Sequence, residues 1–247
     1  MLSVSPLHAD DFWLSRMRSL ILVAGGTGTR MNRPVAKQFL PLGGRPVIVH
    51  TLDKFRQAYP DLHIVLVLHD SLHPEWERVV QDHPEASVNR VVNGGAERFH
   101  SVRQGLAALP EGDGLVGIHD AVRPFAEVET IRRCYDAAEK SGAAVPVVPV
   151  KDTIRQVGER GSAPLDRAAL RAVQTPQVFS LPRLRVAYEV GYKPHFTDDA
   201  SVWEFGGSAV TLVDGDLHNI KITTPEDLLS AEAFLSLRSA PNGPVQR

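Results

Sequence analysis

Glycines, cationic side chains and carboxylates recur in this 247-residue chain at spacings suited to holding phosphate. The first cluster is Gly25-Gly26-Thr27-Gly28-Thr29-Arg30-Met31, with Lys37 seven residues beyond Arg30. Glycines let the backbone approach a phosphate closely, so that several N–H groups can point at it together. Arg30 and Lys37 would flank that row of donors with two fixed positive charges, which suits a polyphosphate. Two other nucleotide-binding patterns fail. The dinucleotide fingerprint needs a glycine where Met31 stands, and the P-loop needs a Gly-Lys-Ser/Thr that is absent. A plain glycine turn with solvated cations is the bland alternative. The use of six lysines against 21 arginines tilts against it, because this chain places lysine sparingly.

A second glycine turn, Asn93-Gly94-Gly95-Ala96-Glu97-Arg98-Phe99-His100-Ser101, leads into a helical pattern. In His119-Asp120-Ala121-Val122-Arg123-Pro124 a carboxylate and a guanidinium stand three residues apart. Asp120 could orient a hydroxyl or a metal-bound phosphate and Arg123 could hold a phosphate, or the two could form a local ion pair. Thr197-Asp198-Asp199-Ala200-Ser201 opens a short helix, where capping of the first-turn N–H groups is a strong explanation. Lys221 lies between Ile220 and Ile222 in a strand-like piece, 219–223, and reads as an edge lysine. His100, His119 and His195 form no recognisable metal spacing, so no protein-held metal is expected.

The elements that must carry these clusters follow from periodicity. Apolar runs at 20–23, 64–68, 88–92, 115–118, 143–147 and 209–213 read as strands. Helical patterns fill 46–58, 73–81, 98–108, 128–140, 181–190 and 225–237. This alternation predicts an α/β fold of βα units on a largely parallel sheet, with the first glycine turn at the carboxyl edge of the first strand, where such sheets bind ligands. The rhythm stops between residues 150 and 174, where Gly158, Gly161 and Pro164 punctuate a charged stretch that predicts a projecting hairpin or arm. One domain over 19–237 is expected, with a loose extension over 1–18 and a frayed tail over 238–247. Met17 offers an alternative start, and the short segment beyond the last helix leaves no room for a fused second enzyme.

Apolar residues make up 43% of the chain, enough for a full core. Twenty-seven Lys plus Arg against 29 Asp plus Glu give a net charge of −2, which removes the broad cationic surface of a nucleic-acid binder but permits a small anionic ligand. No apolar window approaches the roughly 18 residues of a membrane helix, and residues 1–18 lack the features of a secretory signal. Cys134 is the single cysteine, which excludes an internal disulfide and fits a reducing, cytoplasmic setting.

Taken in order, several motifs resemble those of the 2-C-methyl-D-erythritol 4-phosphate cytidylyltransferase family. They are Ala24-Gly-Gly-Thr-Gly-Thr-Arg-Met31, Lys37-Gln38-Phe39, Gly94-Gly95 through Arg98 to Ser101, His119-Asp-Ala-Val-Arg-Pro124, Asp152-Thr153, Thr175-Pro-Gln177, Thr197-Asp-Asp-Ala-Ser201 and Asn219-Ile-Lys-Ile-Thr223. The resemblance runs over about residues 20–237 and implies a single Rossmann-like nucleotidyltransferase sandwich that dimerises by exchanging an arm. It implies transfer of CMP from CTP to the methylerythritol phosphate, with Mg²⁺ held mainly by the CTP phosphates. Arg30, Lys37, Arg167 and Lys221 fall at the family's catalytic positions, the match at Arg167 being counted back from Thr175 through a variable arm. Ala24, Gly25, Gly26, Gly28, Gly95, Ala96 and Ser101 fall around the nucleotide, while Asp120, Arg123, Thr153, Thr175 and Thr197 fall at substrate contacts. Gly25 stands where alanine is common, Ala96 where a polar residue is frequent, and Ala36 where proline often precedes the lysine, with Pro34 nearby. Three other readings stay open at this stage: a cytidylyltransferase for ribitol 5-phosphate or another polyol phosphate, a nicotinamide oxidoreductase, and a silent nucleotide-binding regulator.

Overall fold

The central strand β1 (Met17–Ala24) sorts its side chains between two cores, as the period-2 geometry of a strand covered on both faces requires. Leu20, Leu22 and Ala24 point into one apolar cluster and Ile21 into the other. Residues 17–26 and 35–239 are described by the computed structural model. Of the extension 1–18 expected to be loose, residues 1–16 lie outside the described residues and Met17 and Arg18 open β1; of the expected tail 238–247, residues 240–247 lie outside them and 238–239 end the last helix; the turn residues Gly28 and Arg30 lie outside them too.

Strands β2 (Pro41–Leu42) and β3 (Arg45–Pro46) form a separate two-stranded ladder, and β1 pairs in parallel with β4 (His63–Leu68) on one side and β6 (Gly114–Asp120) on the other. Beyond β4 lies β5 (Arg90–Asn93), also parallel. Beyond β6 the sheet continues through β11 (Gln177–Ser180) to β7 (Ala143–Pro149), with β10 (Arg171–Val173) and β12 (Thr211–Asp214) completing eight strands. The rule that one face is buried against helices on each side fixes the layers. Helices α1 (Val47–Ala58), α2 (His73–Asp82) and α4 (Val128–Ser141) cover one face with Phe55, Trp76 and Tyr135. Helices α3 (Arg98–Ala108), α5 (Leu181–Ala187) and α6 (Asp199–Phe205) cover the other with Phe99, Leu184 and Trp203. Gly105 lets α3 approach β1, since a Cβ there would lie 2.7 Å from Ile21 Cγ2.

The six predicted strands are found with ends moved by a few residues. Strand β11 was not anticipated: it runs antiparallel between β6 and β7, although the chain reaches it only after the arm. Its four residues are too few to show a period, so pairing rather than sequence defines it. The piece 219–223 is not a strand. Asn219 N–H donates to the nearby Asp216 carbonyl and Ile222 N–H to the distant Val122 carbonyl just past β6, and buried Ile222 packs beside α7 (Pro225–Ser239). Helix α7 starts as expected, with Asp227 accepting from the N–H groups of Thr223 and Thr224 and donating its own to Thr224 Oγ1.

Residues 155–164 form the predicted hairpin, β8 (Arg155–Gly158) against β9 (Gly161–Pro164). Every residue of both strands is exposed, Val157 to 81%. Gly161 closes the turn at φ +116°, a conformation that disfavours any side chain.

Candidate active site

The carboxyl ends of β1, β5 and β6 bring the sequence clusters to one edge. Ala24 ends β1, and Gln38 Nε2 donates to Ala24 O at 2.9 Å and Gly26 O at 3.3 Å. Buried Gln38 thus pins the short turn Lys37–Phe39, and with it Lys37, beside the first glycine turn. Ser101 joins this turn to the second one. Its hydroxyl, 3% exposed, accepts from Gly95 N–H at 3.1 Å, and a Cβ built on Gly25 would lie 3.4 Å from the same oxygen. An alanine at Gly25 would therefore fit, whereas a Cβ at Gly95 would collide with that of His100. Ala96 is exposed and leaves its backbone N–H as its means of contact.

Asp120, at the end of β6, gathers three cations from distant parts of the chain. Lys221 Nζ lies 3.0 Å and Arg123 Nε 3.2 Å from its Oδ2, while Arg98 Nε lies 3.9 Å from its Oδ1. Burial alone would push the Asp120 carboxyl up; Arg98, Lys221 and Arg123 together reverse this and hold it well below the usual carboxylate range. Arg98 also pairs with fully buried Asp199 at 2.6 Å. Three cations therefore face two carboxylates, and the surplus positive charge suits an anionic ligand. Lys221 keeps 41% of its side chain exposed, so its ammonium can reach such a ligand while Asp120 aims it. The local ion pair considered for Asp120 and Arg123 exists, but as part of this larger cluster.

A chain of hydrogen bonds holds Asp120 in place. Its N–H donates to Thr175 Oγ1 at 3.2 Å, the Thr175 hydroxyl meets His119 Nδ1 at 3.0 Å, and His119 Nε2 lies 3.2 Å from Arg123 O. A carbonyl can only accept, so Nε2 carries the proton and Nδ1 accepts from Thr175. Burial pushes His119 down to about 3, so the ring is neutral. Thr175 is 6% exposed and has its hydroxyl engaged, so it acts here as the brace of β6. Arg123 Nη1 donates to Asn219 O at 2.8 Å, fastening the Lys221 segment to the same strand end.

The remaining candidates are placed differently. Arg30 and Gly28 lie outside the described residues. Arg167 and Thr153 are exposed on the arm, and the Arg167 guanidinium donates to Lys151 O there, away from the Asp120 cluster. Thr197 is exposed beside Asp198, whose side chain caps α6 in a reciprocal box with Ser201, as the capping explanation anticipated. His119, Arg98, Asp199 and Gln38 were not assigned roles from sequence. Their signal was weak because each matters through a partner remote in the chain. Among the described residues no three His, Cys, Asp or Glu side chains converge on a metal position. No helix among them is long and apolar enough to cross a membrane. Two cavities of about 310 and 390 Å³ lie elsewhere, one at the end of α4 and one beside α2. Neither contains a residue of the charged edge.

An open α/β sheet with glycines and a cationic cluster at its carboxyl edge is the arrangement by which α/β proteins bind nucleotides and other phosphate ligands. Comparison with known proteins narrows the class. The family model for 2-C-methyl-D-erythritol 4-phosphate cytidylyltransferase (IspD) matches residues 19–237. The protein of that name from Bacteroides thetaiotaomicron is 48% identical over 218 residues, covering 88% of this chain and 99% of its own. Among solved structures, the 4-diphosphocytidyl-2C-methyl-D-erythritol synthase of Anaerococcus prevotii aligns with a TM-score of 0.77 at 30% identity, covering 90% of this chain and 96% of that one. The 2-C-methyl-D-erythritol 4-phosphate cytidylyltransferase of Thermus thermophilus aligns at 0.70 and 32% identity, covering 90% of this chain and all of the other. The chain belongs to the 2-C-methyl-D-erythritol 4-phosphate cytidylyltransferase family of nucleotidyltransferases.

Proposed function

We infer that this chain transfers CMP from CTP to 2-C-methyl-D-erythritol 4-phosphate, releasing pyrophosphate and forming 4-CDP-2-C-methyl-D-erythritol. The observation that carries the residue assignment is the convergence of Lys221, Arg123 and Asp120 at the sheet edge that also holds the two glycine turns. The polyol phosphate's oxygen attacks the α-phosphorus of CTP in line, and the P–O bond to pyrophosphate breaks. Both reactants are anionic, so holding them together against their charge is most of the catalysis. Lys37 and Arg30 take the triphosphate beside Ala24–Gly26, and the turn at Gly95, Ala96 and Ser101 takes the cytosine. Lys221 and Arg123 take the polyol phosphate, whose hydroxyls fall to Asp120 and Thr197. Mg²⁺ supplies further charge neutralisation on the triphosphate. Asp120 is already ringed by cations, which fits an ion held mainly by the CTP phosphates rather than by a protein cage.

The arm supports a homodimer. Thr153 and Arg167 are exposed there, and Val157, Leu165 and Val173 present apolar surface beside them. Such an arm would deliver Arg167 and Thr153 to the site of a second copy. The reaction is tested by following pyrophosphate release from CTP with Mg²⁺, offering methylerythritol phosphate or ribitol 5-phosphate in separate reactions. Release with the former alone is expected; preference for ribitol phosphate would overturn the substrate assignment.

A further inference from the structure

The first turn of α3 lies between the two proposed half-sites and touches both. Upstream, Arg98 follows the glycine turn braced by Ser101. Toward the other half-site, its Nη2 donates to Asp199 Oδ2 at 2.6 Å and its Nε faces Asp120. Asp199 has no exposed surface, so its charge must be met by protein groups. Tyr188 supplies the second of these, its hydroxyl donating to Asp199 Oδ1 at 2.6 Å. The next residue repeats the connection with apolar contacts. Phe99 stacks on Tyr188 with ring centroids 4.7 Å apart and on Phe196 at 5.9 Å, directly before Thr197. Buried Gln177 fixes the far side of the same loop to the sheet, its Oε1 accepting from the N–H groups of Asp199 and Ala200. Gln177 holds the backbone of this loop, while Arg98 and Tyr188 meet the buried charge of Asp199. What Arg98 adds is a rigid link from that loop to the nucleotide turn and to Asp120.

We propose that Arg98, clamped by Asp199 and Tyr188, is a positioning residue that sets the distance between the nucleotide turn and the 197–201 loop. It thereby couples CTP binding to the placement of the second substrate. This rests on the substrate assignment above, and two independent readouts separate their failures. The first is kinetic. Asp199→Asn and Tyr188→Phe should leave the Kd of CTP within about twofold but lower kcat/KM for methylerythritol phosphate by roughly 10–100-fold, the loss typical of a slight misplacement. Asp199→Glu, which keeps the charge, should recover more activity than Asp199→Asn. If Asp199→Asn does not fold, Tyr188→Phe carries the test, because it removes one donor and keeps the ring stacked on Phe99. The second readout needs no turnover. CTP alone should slow amide hydrogen exchange at 197–201 in the wild type and not in the variant.

Variants that lose thermal stability while keeping kcat/KM and exchange protection would overturn the proposal, since the network would then be structural only. CTP affinity falling as far as turnover would overturn it too, by making Arg98 a direct nucleotide contact. Wild-type protection of 197–201 by CTP without pyrophosphate release would support the coupling and refute the substrate assignment instead.

Discussion

At the scale of single residues, the same charge does different work according to its surroundings. Lys37 sits beside the glycine turn, where the proposed reaction builds charge on the triphosphate in its transition state. Losing one such preorganised donor costs about 10²–10³ in rate, or roughly 2.7–4 kcal/mol. Lys37→Ala is therefore expected to lower kcat by that factor in steady-state assays at saturating substrate, and turnover above half of wild type would remove Lys37 from the mechanism. His119 gives a pH prediction. In the folded protein it stays neutral down to about 3, whereas in the unfolded chain it takes a proton near its ordinary value of 6.5. Unfolding therefore binds a proton between those values, so stability is full above pH 6.5 and falls by about 1.4 kcal/mol per unit as pH drops below it. His50 and His63, also lowered by burial, add in the same direction. Urea unfolding of wild type and His119→Gln at pH 7 and pH 5 should show a smaller pH difference for the variant. An unchanged difference would mean that His119 is protonated in the fold.

At the scale of elements, the second glycine turn is shaped by one hydroxyl and one missing side chain. Ser101→Ala removes the acceptor for Gly95 N–H, and Gly95→Ala forces the turn away from His100. Both are expected to raise the KM for CTP about tenfold, as the loss of a hydrogen bond of about 1 kcal/mol or more implies. The KM for methylerythritol phosphate should change less; equal effects on both substrates would detach this turn from nucleotide selection. Helix α3 and helix α7 were legible in the sequence because their starts carry local signals, a glycine turn and a Thr-Thr-Pro cap with acids behind it. Strand β11 was not, since four residues carry no period and their pairing depends on two strands far away in the chain. The piece around Lys221 shows the opposite error. Its alternation resembled a strand, but it forms no ladder, and its N–H groups turn to Asp216, His218 and Val122 one by one.

At the scale of the whole molecule, the exposed hairpin asks for a purpose. Its residues bury nothing within the chain, so replacing 155–164 by a short glycine linker should leave the melting temperature of the sheet domain nearly unchanged. Under the arm-exchange proposal it should also shift the protein toward monomer in analytical ultracentrifugation and abolish turnover. A truncated protein that remains dimeric and active would show that the hairpin does not carry the exchange that delivers Arg167 and Thr153 to a second copy. Mixing Lys37→Ala with Arg167→Ala subunits provides a second check, because a site built from two chains restores one intact copy in the hybrid. Absence of any rescue after verified subunit exchange would confine each site to one chain.

The sequence by itself determined the α/β class, most of its elements and the two glycine turns, because periodicity, caps and glycine are local properties that need no neighbours. It also placed Asp120, Arg123 and Lys221 among the candidates. The tertiary structure decided that these three meet, that Arg98 joins them at Asp120 and ties them to Asp199, and that His119 and Thr175 hold them. Those relations arise from strand order and helix packing across sequence separations of up to 123 positions, between Arg98 and Lys221. A linear pattern carries no distance across such a gap, whereas the fold brings both side chains within 4 Å of one carboxylate.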